Sequence, residues 1–295
     1  MKRRAVLAGL FGSLLTTLGV GGYATAVEPN WLRIARYDLD LPAWPAGLTL
    51  RAAVLSDFHA CEPWLNADRL NAICDSVADL EPDIVLLLGD YCEGPRFSRS
   101  LKPAEWGACL ARLHAPLGVH AVLGNHDYWA DAAVQAAGGG STEAEGALTA
   151  AGIDVYVNRA RRMEKDGRGF WLAGLGDQLA FIRSRRGLDD LDATLDQIEG
   201  DEPVLLMAHE PDIFPRVPPR VALTLSGHTH GGQVRLFGHS PVIPSRYGDR
   251  YRHGHVTEDG RHLVVSAGLG LTWLPVRLGA PPEIVLLELG GRRTA

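Results

Sequence analysis

Residues 48–59 read LTLRAAVLSDFH, and the fold follows from how that stretch is read. Leu48 to Ser56 is an apolar run with the length and composition of a strand, and it stops on Asp57 and His59. Residues 83–90 (DIVLLLGD) and 118–127 (GVHAVLGNHD) repeat the pattern, with strands over Asp83–Leu88 and Gly118–Leu123 that end on polar side chains. Between them, Ala67–Leu80 carries apolar residues at Leu70, Ile73, Cys74 and Val77, the spacing of an amphipathic helix, and Ala104–Leu113 reads as a second helix. Strand, helix, strand, helix, strand in this order implies parallel strands buried on both faces, hence an α/β fold.

The second half adds strands expected at Ile153–Val157, Phe170–Leu175, Pro203–Ala208, Val221–Ser226, His262–Ser266 and Glu283–Leu289, with one helix over Leu188–Ile198. That many strands imply two stacked sheets with helices outside. Gly138–Glu145 (GGGSTEAE) reads as a loop, and Leu236–His255, rich in Pro, Gly and Tyr, as an irregular surface segment. No repeat, low-complexity tract or long linker interrupts the chain, so residues 28–295 are expected to form one domain.

The 295 residues are 46% hydrophobic and 22% charged, enough to bury a large core and too apolar for a disordered chain. Net charge is −6, and three of the basic residues, Lys2, Arg3 and Arg4, sit at the start, so the body is more acidic still. A body with no basic run does not suit nucleic acid, which requires a cationic face. Residues 5–27 carry no charge and follow that basic cluster, the layout of a signal peptide or an uncleaved membrane anchor over residues 1–27. Ala24 and Ala26 form an A-x-A site for cleavage before Val27, and the paired arginines suit the twin-arginine route, so export or membrane attachment at the cell envelope is expected. Cys61, Cys74, Cys92 and Cys109 show no C-x-x-C spacing and are read as small buried residues, although an exported chain permits a disulfide.

The chemistry gathers where strands stop. Asp57-x-His59, Gly89-Asp90, Gly124-Asn125-His126-Asp127, His209 and Gly227-His228-Thr229-His230 each follow an apolar run directly. In α/β sheets the carboxyl edge is where ligands bind. An x-separated pair at a strand end can converge on one ion, and imidazole with carboxylate favours Mn, Zn or Fe over Ca or Mg. Seven ligand-type side chains exceed the needs of one ion, and Asp90 after a glycine is placed to bridge two. A single such cluster is commonly a turn or a hydrogen-bonded histidine; five in succession after strands are not.

These blocks, D-x-H, G-D, G-N-H-[DE], a separate His and G-H-x-H, resemble the calcineurin-like metallophosphoesterases, and they occur in that order from Asp57 to His230. The variant GHTHGGQVRL behind an N-terminal signal or anchor is most similar to the bacterial envelope branch, with its twin-arginine-exported phosphoesterases and UDP-2,3-diacylglucosamine pyrophosphatase-like enzymes. The resemblance implies a four-layer α/β/β/α sandwich of two mixed sheets. It implies one divalent ion held by Asp57, His59, His230 and Asp90, and a second by Asp90, Asn125, His209 and His228, with an attacking hydroxide shared between them. It leaves His126 as general acid or charge stabiliser toward the leaving group, oriented by Asp127. Residues 91–94, Tyr-Cys-Glu-Gly, replace the V-D-R-G of phosphoprotein phosphatases, which disfavours that activity.

A phosphodiesterase or pyrophosphatase acting on an envelope lipid or nucleotide-sugar lipid, such as a UDP-2,3-diacylglucosamine-like compound of lipid A synthesis, is the leading expectation. A broad phosphomonoesterase and a non-catalytic metal-binding module at the membrane are the alternatives. Arg183, Arg185 and Arg186 are read as either a rim for an anionic head group or a solvated turn, and Trp64 and Trp129 as aromatic rim. His239, His253, His255 and His262 match no ligand block and are read as surface or locally bonded residues.

Overall fold

The computed structural model describes residues 17–45 and 47–291. Its strands in chain order are β1 (Arg33–Leu39), β2 (Leu50–Leu55), β3 (Cys61–Glu62), β4 (Ile84–Leu87), β5 (Arg99–Ser100), β6 (Val119–Ala121) and β7 (Asp154–Val155). The second half supplies β8 (Arg159–Lys165), β9 (Arg168–Gly174), β10 (Val204–Met207), β11 (Val221–Ser226), β12 (Gly254–Glu258), β13 (Arg261–Val265) and β14 (Glu283–Leu289).

Side-chain alternation sends each apolar run into two different cores. Ala52 and Val54 of β2 and Ile84 and Leu86 of β4 meet Leu205 and Met207 of β10 and Leu223 and Leu225 of β11, forming the layer between two sheets. The intervening residues Ala53, Leu55, Val85 and Leu87 face the opposite way, against Leu70 and Ile73 of the helix Ala67–Ala78, Trp106 of Pro103–Leu110 and Leu148 of Glu143–Ala150. On the far side, Val204 and Leu206 of β10 pack with Leu191 and Leu195 of the helix Leu191–Leu195 and Phe214 of the 3-10 segment Pro211–Arg216. Strands apolar on both faces therefore lie inside a helix–sheet–sheet–helix sandwich, the four layers expected.

Both sheets are mixed. The first runs β1-β14-β2-β4-β6-β7, with β2, β4, β6 and β7 parallel and β14 antiparallel to β2. The second runs β12-β13-β11-β10-β9-β8, parallel through its centre with antiparallel strands at both edges. The ends of β2, β4, β10 and β11 thus open on one side, where the polar blocks follow. A short antiparallel pair, β3 and β5, lies beside them.

Three elements depart from the sequence reading. The helix expected over Leu188–Ile198 is an α-helix only at Leu191–Leu195, because Asp190 caps it through a bond from the Ala193 amide. The expected loop Gly138–Glu145 ends early: the Thr142 hydroxyl accepts from the Glu145 amide and starts a helix at Glu143. Within Leu236–His255 lie the 3-10 turn Gly248–Tyr251 and the start of β12.

Residues 1–16 of the expected address segment lie outside the described residues. Residues 17–22 are helical and continue into a π-turn, Tyr23–Val27. Ala24 is buried there, and its carbonyl accepts from the Arg277 amide at 2.8 Å. Glu28, also buried, accepts from the Ala280 amide at 2.7 Å. Among the described residues, no helix is long and apolar enough to cross a membrane. All four cysteines are free and buried.

Candidate metal centre

Tight turns at the strand ends build the site. Asp57, His59, Asp90, His228 and His230 all lie in the left-handed backbone region, with φ between 43° and 67°. Each such residue costs ~1–2 kcal/mol, an expense that a fold concentrates where side chains must point to one place. Glycine permits the crowding: a methyl group on Gly124 would lie 2.8 Å from Cε1 of His209 and closer still to Asp90.

The side chains converge in three overlapping groups. Ligand atoms of Asp57, His59 and His230 lie within 4.8 Å of one another, as do those of Asp90, His209 and His228, and those of His59, Asp90 and His126. Asp90 joins the groups, its Oδ2 lying 3.1 Å from Nε2 of His209 and 3.5 Å from Nε2 of His59. Asn125, beside Gly124, is buried with its Oδ1 lacking any partner.

Whether these residues suit cations is decided by where the imidazole hydrogens must be. Nδ1 of His59 donates to the carbonyls of Cys92 and Glu93 at 3.0 and 2.6 Å, and Nδ1 of His209 donates to the Leu88 carbonyl at 2.7 Å. In the neutral rings both Nε2 atoms are then bare lone pairs. Yet Nε2 of His59 faces Nε2 of His230 at 3.1 Å, and Nε2 of His209 faces Nδ1 of His228 at 3.3 Å as well as the Asp90 carboxylate. Oδ2 of Asp57, Nε2 of His228 and Nδ1 of His230 are buried with no hydrogen bond. Buried ligand atoms left without any partner inside a core are costly unless positive charge lies among them. The donor set fits divalent cations.

Titration follows the same logic. Burial lowers His59 to about 4, and burial together with the adjacent His59 holds His230 well below the usual histidine range, so both rings favour the neutral form in which imidazole can bind a metal. Burial also opposes a charge on His209, but the Asp90 carboxylate outweighs it and raises that pKa well above the ordinary value.

His126 sits differently. Its side chain is 22% exposed and lines an open cleft, whereas the candidate ligands around it are buried. Its Nδ1 bonds Oε2 of Glu93 at 2.8 Å, and its ring lies 4.8 Å from that of His59 and 5.0 Å from Trp129. Burial lowers the His126 pKa, but the charges of Asp90 and Glu93 prevail and raise it.

Asp127 does not orient His126, contrary to expectation. Its Oδ2 accepts from the amides of Asp90 and Gly124 at 2.9 Å each, and its Oδ1 from Tyr91 and Cys92 at 2.8 and 3.1 Å. Four backbone donors consume the carboxylate, which ties the loop after β4 to the loop after β6. Glu93 is the carboxylate that hydrogen-bonds the His126 ring instead, and it lies within the Tyr-Cys-Glu-Gly departure visible in the sequence.

Arg277 also escaped the sequence reading. Fully buried near Asp57, it donates to the carbonyls of Ala267, Gly268, Gly270 and Ala280 at 2.7 to 3.3 Å. Burial lowers its pKa to about 10, which leaves it cationic at pH 7.

Trp129 lines the cleft, while Trp64 packs against the N-terminal turn through a bond from Nε1 to the Thr25 carbonyl. Arg183 and Arg186 border a separate depression beside Phe181. His253 bonds Glu283, His255 stacks on His262, and His239 is exposed.

A family model described as calcineurin-like phosphoesterase matches residues 50–232. The uncharacterized metallophosphoesterase YkuE of Bacillus subtilis (strain 168) is 30% identical over 299 residues, covering 98% of each chain. Phosphodiesterase YaeI of Escherichia coli (strain K12) is 29% identical over 299 residues, 98% of this chain and 99% of that one. A transmembrane protein with metallophosphoesterase domain from Bos taurus is 29% identical over 297 residues, 98% of this chain and 63% of its own length.

Proposed function

The chain belongs to the calcineurin-like phosphoesterase family and is a metal-dependent phosphoester hydrolase, and on that premise we propose that it cleaves phosphodiester or pyrophosphate bonds of a substrate met at the cell envelope. The observation that carries this reading is the character of the cleft beside the ligands. It holds about 700 Å³, and among its described lining residues Arg96 is the single arginine or lysine. A diester or a disubstituted pyrophosphate carries a substituent on each side of the bond to be cleaved, and a cleft of this size has room for the second one. The name of the E. coli relative supports the same choice.

Two divalent cations, Mn, Zn or Fe, would be held by Asp57, His59, Asp90, Asn125, His209, His228 and His230, and when bound would acidify a water and neutralise the phosphate oxygens. The protein's own part lies in three devices. Asp127 fixes the two loops that carry Asp90 and Asn125. Backbone carbonyls of Cys92, Glu93 and Leu88 set the tautomers of His59 and His209. His126, held at Nδ1 by Glu93 on the cleft side, passes the proton of its other nitrogen to the departing oxygen.

The N-terminal segment is retained as a membrane anchor in this reading. Cleavage before Val27 would remove the Ala24 carbonyl from the Arg277 amide and the Thr25 carbonyl from Trp64. N-terminal sequencing of protein from the membrane fraction should show no terminus at Val27; finding one there contradicts retention. The activity is tested on full chain reconstituted with Mn or Zn. Bis-p-nitrophenyl phosphate should be preferred over p-nitrophenyl phosphate by about tenfold or more in kcat/KM, equivalent to ~1.4 kcal/mol. Preference for the monoester would make the protein a phosphomonoesterase, and no turnover of either would make it a binding module. Lipid-linked compounds head the natural substrate panel, and UMP release from UDP-diacylglucosamine would identify a lipid A role.

A further inference from the structure

We propose that Gln233 is a positioning residue that holds Trp273 over the cleft, and that Trp273 is the surface which receives the substituent left on the phosphate. The inference rests on the phosphodiesterase reading and names the residues that tell a diester from a monoester. Gln233 lies in the turn after β11, just beyond the candidate ligands His228 and His230. It is the centre of a γ-turn: its φ is 44° and its ψ −42°, and the Val234 amide donates to the Gly232 carbonyl. That hand of γ-turn is rare and strained for a residue with a Cβ. Glycine fills the two positions before it, Gly231 and Gly232, both at positive φ, yet this third one carries a glutamine. Strain accepted at such a point directs attention to what the side chain does.

Its three bonds answer that. Nε2 donates to the carbonyls of Thr272 and Leu274 at 2.9 and 3.0 Å, and Oε1 accepts from the Thr272 amide at 2.9 Å. Between those two residues Trp273 is the apex of a tight turn, with φ 59° and the Leu274 amide donating to the Thr272 carbonyl at 2.7 Å. One side chain thus fixes the backbone on both sides of one tryptophan. From another direction the Arg96 amide donates to the Trp273 carbonyl at 3.0 Å. Trp273 is therefore tied both to the loop after β4, which carries Asp90 and Glu93, and to the turn that carries His228 and His230. It is 62% exposed and lines the cleft together with His126, Trp129 and His230. A broad ring held this way offers contact area at little cost in entropy. The leaving group departs toward His126, so the ring serves the group that stays, and a monoester has none to offer it.

The test uses full chain loaded with Mn or Zn and compares kcat/KM for bis-p-nitrophenyl phosphate and p-nitrophenyl phosphate. The variants are Trp273→Ala, Gln233→Ala, Gln233→Gly, and Gln233→Ala combined with Trp273→Ala. Their folding is not at stake, because Trp273 is exposed, glycine suits the backbone at 233, and main-chain bonds between Gln233, Arg235 and Leu278 need no side chain. Each single variant should lower the diester-to-monoester ratio by about fivefold or more, the worth of one aromatic contact, with metal content that of the wild type. The combined variant should fall within about twofold of Trp273→Ala, because the two residues act as one unit. A wild-type ratio in any single variant overturns the assignment and leaves the phosphodiesterase reading intact, as do losses that multiply in the combined variant. Metal lost from the Gln233 variants overturns it too, by showing that the glutamine serves the ligand turn instead of the ring. A wild type without preference for the diester sinks the phosphodiesterase reading, and this inference with it.

Discussion

Replacing Glu93 by Gln isolates what one carboxylate does for His126. The carboxamide keeps an oxygen to accept from Nδ1, so ring orientation is retained and only the charge is lost. A hydrogen bond to a charged group is worth ~1.5–3 kcal/mol. The Glu93 side chain is 44% exposed, and solvent screening reduces this to about 1 kcal/mol, near a fivefold effect. The loss should appear in kcat for diesters with alcohol leaving groups, which need a proton to depart, and should nearly vanish when p-nitrophenolate leaves. The sign of the pH effect is equally fixed. Glu93 raises the pKa of His126, so removing its charge moves the alkaline limb of the rate profile to lower pH. His126→Ala provides the upper limit, a loss of about a hundredfold or more on alcohol leaving groups with metal content unchanged. Equal losses with both leaving groups, or an unmoved alkaline limb, would refute the Glu93–His126 assignment.

Asp127→Asn turns an NH2 toward two of four backbone donors and leaves them buried without acceptors, a cost of about 2–6 kcal/mol. Calorimetry should show Tm lowered by roughly 5–10 °C, and an unchanged Tm would contradict the loop-tying role. Arg277→Leu strips the donors from four carbonyls and should destabilise by about 3 kcal/mol or more in urea unfolding, with Arg277→Lys intermediate; parity of both with wild type removes the arginine from the account. Glu283 governs an acid limb: burial raises its pKa, but His253 and the Ala267 amide outweigh it and hold it below the ordinary glutamate value. The stabilisation is therefore present above the unfolded pKa and lost as pH falls through the lower folded one. Tm measured from about pH 7 to pH 3 should fall less steeply in Glu283→Gln than in wild type, and parallel curves would contradict the assignment.

The central strands were legible because burial on both faces leaves an unbroken apolar run, as in DIVLLLGD, and the clustering of the Asp and His side chains was legible because each follows such a run directly. Edge strands were not. β1 and β8 carry Arg33, Arg36, Arg159, Arg161 and Arg162 on exposed faces, so solvent erases the apolar signal that pairing alone does not supply. Thr142 shows why the glycine-rich stretch reads as a loop: the capping residue sits next to the glycines, and a helix of eight residues begins behind it. Glu93 and Arg277 act across separations of 33 residues to His126 and of up to 10 to the carbonyls they serve, so their roles depend on tertiary placement rather than on a motif. Asp127 was recognised as part of the block, but the sequence could not tell a ring partner from a receptor of backbone amides.

The central claim is that Asp90 joins two cation sites into one. Metal analysis of the purified full chain, alongside Asp90→Asn, tests it most directly. About two divalent ions per wild-type chain are expected, with loss of both tight sites in the variant, because the Asp90 carboxylate faces His59 and His209 together. A variant that retains two tightly bound ions, or a wild type that never takes up more than one, would contradict it.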